Sequence, residues 1–319
     1  MLVKLFNDLC HIPSPSGQEQ QVAAFIQKYL SSIYIENKLD NYGNIIAKKS
    51  GTGTPLLLTA HMDTVPGVLG ADNKATIAAI LHALPHATKN LEIVFTCSEE
   101  SGNLGAVNLD YSQLKSKTGY AFDLGAPLAT IYTSSPYYQR LEIDIFGKGA
   151  HASQPENAIN SLILTADFLQ SLPIGRINDH TILNFGIISG GTSVNTIPDH
   201  IRILGEIRSF SKTDLDLQTK IIKSKLTGIF KFKAILENPG FKITPSHQAI
   251  INLQNIYNKL NIKPKLAQTY GCFDANIFAS HGITVITCSD GSQHNHTPKE
   301  SISTRNLTLL SQVIIEIIR

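Results

Sequence analysis

The chain has 319 residues, with 27 basic and 25 acidic side chains and a formal net charge of +2. This length predicts about two domains, each with a sizeable core, at the usual ~100–200 residues per domain. The balanced charge lacks the basic blocks of nucleic-acid or polybasic membrane-binding surfaces, so we expect neither nucleic acid nor membrane as a partner.

The amino-terminal segment has no long apolar run and no small-residue cleavage site, which predicts a cytoplasmic protein. The four cysteines are widely spaced and form no Cys-x-x-Cys pair, so we expect reduced thiols rather than a disulfide framework or a zinc ribbon. Small-molecule or peptide chemistry is therefore the favoured class of function.

In the first half, apolar β-branched runs alternate with helical patterns, as in a mostly parallel sheet with crossover helices. A helix is predicted after Asp72, ending near Pro85. The predicted strands around it are "PLLLTA", "LEIVFTC" and "TGYAFDL", with "GITVITC" much further along the chain. The fold class is therefore α/β, with a mostly parallel sheet and helices on both faces.

The pattern changes near Ser134, where "QRLEIDIFGKGAH" alternates apolar and polar residues, and it changes back after "ENPGF". Strands and helices between these points predict an antiparallel sheet with helices on one face. We therefore expect a catalytic domain formed by residues 1–133 and 243–319, interrupted by an inserted α+β domain at residues 134–242.

Imidazoles and carboxylates follow four of the predicted strands at their carboxyl ends. Because ligands bind outside the carboxyl ends of strands in open α/β sheets, these side chains are expected to converge on one site. They are His61, Asp63, Glu99, Glu100, Asp123 and His296.

Two imidazoles and several carboxylates together favour zinc, cobalt or manganese, since magnesium and calcium prefer oxygen ligands alone. The number of candidate ligands suits two divalent ions, most simply Zn²⁺, with one carboxylate bridging them. Asp72, at the start of the predicted helix, is placed to be that bridge. Without a cation, Asp72 is most economically a helix amino-terminal acid.

Seven motifs together resemble the di-zinc peptidases and deacylases that include tripeptidase T, carboxypeptidase G, aminoacylase and succinyl-diaminopimelate desuccinylase. The resemblance covers nearly the whole chain and is strongest to the peptidase T-like branch. In chain order, the motifs are "HMDTVPG", "LGADNKA", "SEESGNLGA", "AFDLG", "GKGAHASQPENA", "GGTSVNTIPD" and "HNHTPKE".

The resemblance implies that His61 and Asp123 bind one metal ion and that Glu100 and His296 bind the other. Asp72 would then bridge the two ions. His294 lies two residues before His296 and remains an alternative ligand, although the following Thr-Pro favours His296.

The resemblance also implies that Glu99 is the general base and that Asp63 orients His61 by accepting its remaining ring proton. Two departures from the family pattern stand nearby. Only ten residues separate His61 from Asp72, where the family carries a longer segment, and Asn73 stands where an Asp is usual.

The inserted domain resembles the family's lid, which also forms a homodimer. By this resemblance His151 reaches the substrate carbonyl, sometimes from the other subunit, while Asn195 and Arg208 help to hold the substrate. Arg208 lies in "GEIR", without the Asp expected two residues earlier. For His151 and Asn195 a local role in shaping turns remains an alternative.

Three functions remain open. The first is a two-metal exopeptidase acting on short peptides, of the aminopeptidase, tripeptidase or dipeptidase type. The second is an N-acyl amino acid deacylase with the same site. The third is a catalytically silent metal-binding or scaffolding protein, which the presence of Glu99 together with all five ligands argues against.

Overall fold

The computed structural model describes all residues from Met1 to Arg319. Its sixteen strands are β1 (Glu36–Leu39), β2 (Ile45–Lys49), β3 (Thr52–His61), β4 (Lys89–Thr96), β5 (Thr118–Phe122), β6 (Thr130–Ser135), β7 (Tyr137–Phe146), β8 (Ala150–His151), β9 (Gly175–Asn178), β10 (Thr181–Gly190), β11 (Thr196–Ile197), β12 (His200–Ser209), β13 (Ile229–Asn238), β14 (Phe241–Lys242), β15 (Lys265–Gln268) and β16 (Thr284–Cys288).

The nine α-helices are α1 (Leu2–Cys10), α2 (Gln20–Ser32), α3 (Ala71–Ala83), α4 (Leu104–Val107), α5 (Ser161–Gln170), α6 (Lys212–Lys225), α7 (Gln248–Lys259), α8 (Asp274–Ser280) and α9 (Thr304–Ile318). None of them combines the length and the apolar character needed to cross a bilayer.

Nine strands form the larger sheet, in the order β1-β2-β4-β3-β5-β16-β6-β14, with β15 paired to β6. The pairs β3–β4, β3–β5 and β5–β16 are parallel, whereas β1–β2, β2–β4 and β6–β16 are antiparallel. The four central strands β4, β3, β5 and β16 therefore point the same way, and their carboxyl ends lie along one edge of the sheet.

The apolar runs become central strands because both of their faces can be buried. Leu57 and Leu58 of β3 are buried between the parallel neighbours β4 and β5, and Ile286 of β16 is equally buried. Helices α1, α3, α7 and α9 pack in one contiguous group, while α4 packs on α8. A parallel sheet covered in this way needs continuous apolar strands.

The chain divides into two compact units. The first comprises Met1–Ser134, Lys242–Thr269 and Phe273–Arg319, and the second comprises Ser135–Phe241 and Tyr270–Cys272. The inclusion of Tyr270–Cys272 in the second unit has no counterpart in the sequence pattern.

The second unit contains the antiparallel sheet β13-β7-β12-β10-β9 and the two-stranded ribbon β11-β8. Along β7, Leu141, Ile143 and Ile145 are buried and alternate with more exposed residues, as expected when one face of a sheet packs on helices. Helices α5 and α6 both pack against β12. A mostly parallel sheet and a separate antiparallel one confirm the predicted α/β fold class with an α+β second domain.

Candidate metal centre

Four strand ends bring the candidate residues to one edge of the larger sheet. His61 is the last residue of β3, and Asp123 follows β5 directly. Glu99 and Glu100 lie in the turn after β4, and His296 lies in the loop after β16. The parallel direction of these strands is the reason that residues far apart in sequence meet here.

A first cluster forms around the ring of His61. Its Nε2 lies 3.1 Å from Asp72 Oδ1 and 3.3 Å from Asp123 Oδ1. All three side chains are buried. Two ligand atoms that share a tetrahedral zinc ion at 2.0–2.2 Å are about 3.3–3.6 Å apart, so this spacing suits a shared cation.

A second cluster forms around His296, whose Nε2 lies 2.9 Å from Glu100 Oε1 and 3.5 Å from Asp72 Oδ2. His294 is in neither cluster. Asp72 thus has one oxygen in each cluster, Oδ1 beside His61 and Oδ2 beside His296. This is the arrangement that a bridging carboxylate requires.

The contacts of the Asp72 carboxylate are not those of a helix cap, because its partners are His61 and Asn295. Asp72 (φ −82°, ψ 105°) and Asn73 (φ −116°, ψ 24°) both lie outside helical dihedrals, so regular helix begins after them. The carboxylate of Glu300, rather than that of Asp72, accepts N–H groups at the amino terminus of α3, namely those of Gly70 and Asp72. The Asp72 carboxylate is directed toward the two histidines, and helix capping does not account for these contacts.

Glu99 is half-buried beside these clusters. One of its carboxylate oxygens lies within 4.8 Å of a His61 nitrogen and a Glu100 oxygen. Burial raises the pKa of Glu99 well above its ordinary value, and the negative charges of Asp123 and Asp274 raise it further. A carboxyl group with a raised pKa beside a metal site is suited to accept and return a proton near neutral pH.

Asp63 is fully buried under the turn that carries Glu99 and Glu100. Its Oδ1 accepts the Glu99 backbone N–H at 2.9 Å, and its Oδ2 accepts the Glu100 N–H at 3.1 Å and the Ser16 hydroxyl at 2.7 Å. The His61 Nδ1 lies 2.9 Å from the Asp63 carbonyl oxygen and 3.4 Å from its Oδ1. The shorter contact with the ring is therefore made by the Asp63 backbone carbonyl rather than by the carboxylate that we expected, while the carboxylate holds the turn after β4.

The chemistry of this donor set fits divalent metal ions. The carboxylates of Asp72, Glu100 and Asp123 form ion pairs with histidines only, and no Lys or Arg neutralises them. Burying several carboxylates without a cation is costly. Mixed imidazole and carboxylate ligands suit zinc, cobalt or manganese.

The three remaining candidates lie in the second unit. His151 is the last residue of β8 and Asn195 directly precedes β11; both are exposed, and the Ala152 N–H donates to the Asn195 carbonyl at 2.9 Å. The His151 Nδ1 also contacts the Ser153 hydroxyl at 2.7 Å. These are the local turn contacts that form the alternative explanation for both residues.

Arg208 is already well supplied with partners. Its Nε and Nη2 donate to the two carboxylate oxygens of Glu206 at 3.0 and 3.1 Å, and its Nη1 donates to the Tyr270 carbonyl at 2.7 Å. Its guanidinium also lies 4.7 Å from the centre of the Tyr138 ring. Glu206 thus occupies the position where the family pattern led us to expect an Asp, and it pairs with the arginine.

Four further residues hold the ligands in place, and sequence reasoning did not assign them. The Asn295 Nδ2 donates to Asp72 Oδ2 at 2.9 Å, and the Asn73 Nδ2 donates to Asp123 Oδ1 at 2.7 Å. Glu300 accepts the Gly70 and Asp72 N–H groups. Ser16 donates to Asp63, as described above. The available signal was adjacency, since Asn73 follows Asp72 and Asn295 precedes His296.

Comparison with known proteins defines the class of this chain. Residues 137–232 match the peptidase dimerisation domain of the M20 family, and residues 44–141 match peptidase family M28. The fold, the candidate metal-binding group and both matches thus show that the chain is similar to metallopeptidases.

Individual relatives show which proteins of that class this chain resembles. The chain superimposes on a tripeptidase from Staphylococcus aureus with a TM-score of 0.95 and 26% identity, covering 99% of this chain and 96% of the other. It superimposes on the aminopeptidase PepT from Bacillus cereus with a TM-score of 0.92 and 27% identity, covering 99% and 97%. A putative [LysW]-lysine/[LysW]-ornithine hydrolase from Pyrococcus furiosus is 26% identical over 99% of this chain and 97% of its own length. The predicted resemblance is confirmed: the chain is a relative of the M20 metallopeptidases and of peptidase T.

Proposed function

We propose that this protein is a two-metal exopeptidase that hydrolyses an amide bond in short peptides. The observation that carries the proposal is the position of Asp72, which has one oxygen in each of two imidazole–carboxylate clusters, beside Glu99. The similarity to an aminopeptidase and a tripeptidase supports a peptide as the substrate.

In this proposal five residues hold two divalent ions, most simply Zn²⁺, with Co²⁺ or Mn²⁺ as substitutes. His61 and Asp123 serve one ion, Glu100 and His296 serve the other, and Asp72 serves both. When bound, the ions supply the Lewis acidity that lowers the pKa of a water molecule and polarises the scissile carbonyl.

Glu99 is the general base in this scheme. Its carboxylate accepts a proton from the attacking water and then passes that proton to the departing amine. Asp63 fixes the turn that carries Glu99, and its carbonyl oxygen orients the ring of His61. The raised pKa of Glu99 makes its carboxylate a stronger base than an ordinary carboxylate, which favours acceptance of the proton from the water molecule.

We assign the second unit the role of lid and dimerisation domain, which the match at residues 137–232 supports. His151 would donate to the developing oxyanion, a contribution of roughly 3 kcal/mol by analogy with other oxyanion donors. Asn195 and Arg208 would hold the substrate. Three of the five N–H groups of Arg208 already have partners, so two remain for a substrate carboxylate.

A deacylase remains the second candidate, because a relative covering nearly the whole chain is named a hydrolase of [LysW]-lysine and [LysW]-ornithine rather than a peptidase. The two functions differ in the group that they require on the carbonyl side of the scissile amide. An amino-terminal peptidase needs an aminoacyl group with a free α-amino group there, whereas a deacylase needs an acyl group without one.

The test is to incubate the zinc-, cobalt- or manganese-loaded protein with di- and tripeptides, their N-acetylated counterparts and simple N-acyl amino acids, and to identify products by mass spectrometry. We expect cleavage of the free peptides. Cleavage confined to the N-acylated compounds would replace the peptidase with the deacylase.

Glu99→Gln is the matched control, because it keeps the shape of the side chain and removes the base. We expect it to retain bound metal and to lose at least about 10²-fold in turnover. Metal-loaded wild-type protein that cleaves nothing in the panel would refute the proposed function.

A further inference from the structure

An asparagine lies between the proposed general base and a second buried carboxylate. The Asn103 Nδ2 lies 3.0 Å from Glu99 Oε1 and 3.1 Å from Asp274 Oδ1. Both Asn103 and Asp274 are buried. An amide nitrogen carries two hydrogens, so it can donate to both carboxylates at once.

Asp274 is itself held from the other side. Its Oδ2 accepts the hydroxyl of Thr96, the last residue of β4, at 2.5 Å. Burial raises the pKa of Asp274 to about 6, against the opposing effect of the hydrogen bonds from Thr96 and Asn103. These two hydrogen-bond donors therefore stabilise the ionised form of Asp274.

We propose that Asn103 is a positioning residue for Glu99, and that Asp274 fixes the side-chain amide of Asn103 by accepting a hydrogen bond from it. The hydrogen bond to Oε1 restricts rotation of the Glu99 carboxylate and assigns the reacting proton to Oε2. This inference rests on the proposed role of Glu99 as general base. It adds two residues, Asn103 and Asp274, that are not themselves proposed metal ligands.

A purely local role for Asn103 is the alternative. Its backbone has φ 58° and ψ 30°, in the left-handed region that Asn and Gly tolerate, and its N–H donates to the Glu99 carbonyl at 2.8 Å. Asn103→Gly separates the two roles, because glycine adopts the same backbone conformation and lacks the amide.

The first measurement compares Asn103→Gly with wild type on the peptide that wild type cleaves. We expect kcat to fall by about 10- to 100-fold, because a misplaced catalytic group costs about that much. We expect KM to stay within about twofold and the zinc content to be unchanged. An unchanged kcat, or a loss of zinc that accounts for the lost activity, would overturn the proposal.

The second measurement is a double-mutant cycle with Glu99→Gln. If Asn103 acts through Glu99, adding Asn103→Gly to Glu99→Gln should lower kcat by less than about twofold. The same fold-loss in both backgrounds would show that Asn103 acts elsewhere. Asp274→Asn keeps an oxygen to accept from Asn103 and should therefore lose less activity than Asn103→Gly.

A third measurement needs no substrate and keeps this inference separate from the proposed function. Unfolding temperatures of the metal-free protein are compared for Asn103→Gly, Glu99→Ala and the double variant. A temperature shift in the double variant that is smaller than the sum of the two single-variant shifts supports the contact. A shift equal to that sum overturns it. If wild type cleaves nothing, the proposed function fails while this cycle still decides the contact.

Discussion

Asp63→Ala should destabilise the metal-free protein by about 4 kcal/mol. The Asp63 carboxylate accepts three hydrogen bonds, from the backbone N–H groups of Glu99 and Glu100 and from the Ser16 hydroxyl. Bonds to a charged group contribute about 1.5–3 kcal/mol each, and removal of Asp63 leaves two backbone donors without their acceptor. Relief of the desolvation of the buried carboxylate offsets part of this loss.

The assay is urea unfolding of the metal-free protein, followed by circular dichroism at neutral pH. Ser16→Ala is the matched control, since it removes one of the three donors and should cost about 1 kcal/mol. A loss below about 1 kcal/mol for Asp63→Ala would refute the argument that this carboxylate fixes the turn carrying Glu99 and Glu100.

The same variant gives a pH dependence of definite sign. Burial alone would raise the pKa of Asp63, but hydrogen bonds with His61, Ser16 and the Glu99 N–H hold it below the ordinary value of 3.8. A lowered pKa in the folded state contributes stability above 3.8, and this stability is lost as the pH falls through the folded value. The stability difference between wild type and Asp63→Ala should therefore shrink below pH 3.8.

Two further predictions concern the ligands. Asp72→Ala should lose bound metal and hydrolysis together; full metal binding with normal turnover, at a cost of about 1 kcal/mol, would mean that Asp72 only caps a helix. In the metal-free protein, hydrogen bonds that the His296 ring donates to Asp72 and Glu100 raise its pKa from 6.5 to about 10. The resulting stability is complete below pH 6.5 and should be lost as the pH rises toward 10. A thermal melt series should show this loss in wild type and His294→Gln but not in His296→Gln; an equal loss in all three would contradict it.

The sequence predicts those residues of the site that directly follow a strand. His61 ends an apolar run with the pattern of a buried strand, and Asp123 follows another, so their meeting at one edge of the sheet is predictable from hydrophobic patterning. Glu99 and Glu100 are predictable for the same reason. The following Thr-Pro favoured His296 over His294, and the loop geometry places His296 rather than His294 beside Asp72 and Glu100.

Residues that support the site through hydrogen bonds are not predictable in this way. Asn103 and Asp274 are 171 positions apart, and Glu300 is 230 positions from Gly70, whose N–H it accepts. Each of these side chains taken alone looks like an ordinary polar residue at a helix end or in a loop. Only the packing of α8 against α4 brings Asp274 to Asn103.

The central claim is that five ligands hold two metal ions with Asp72 between them. Its most direct test is elemental analysis of the protein after saturation with zinc and removal of free metal, with Asp72→Ala measured in parallel. The account predicts about two zinc ions per chain in wild type and clearly fewer in the variant. No bound zinc in wild type, or two ions in both proteins, would contradict it.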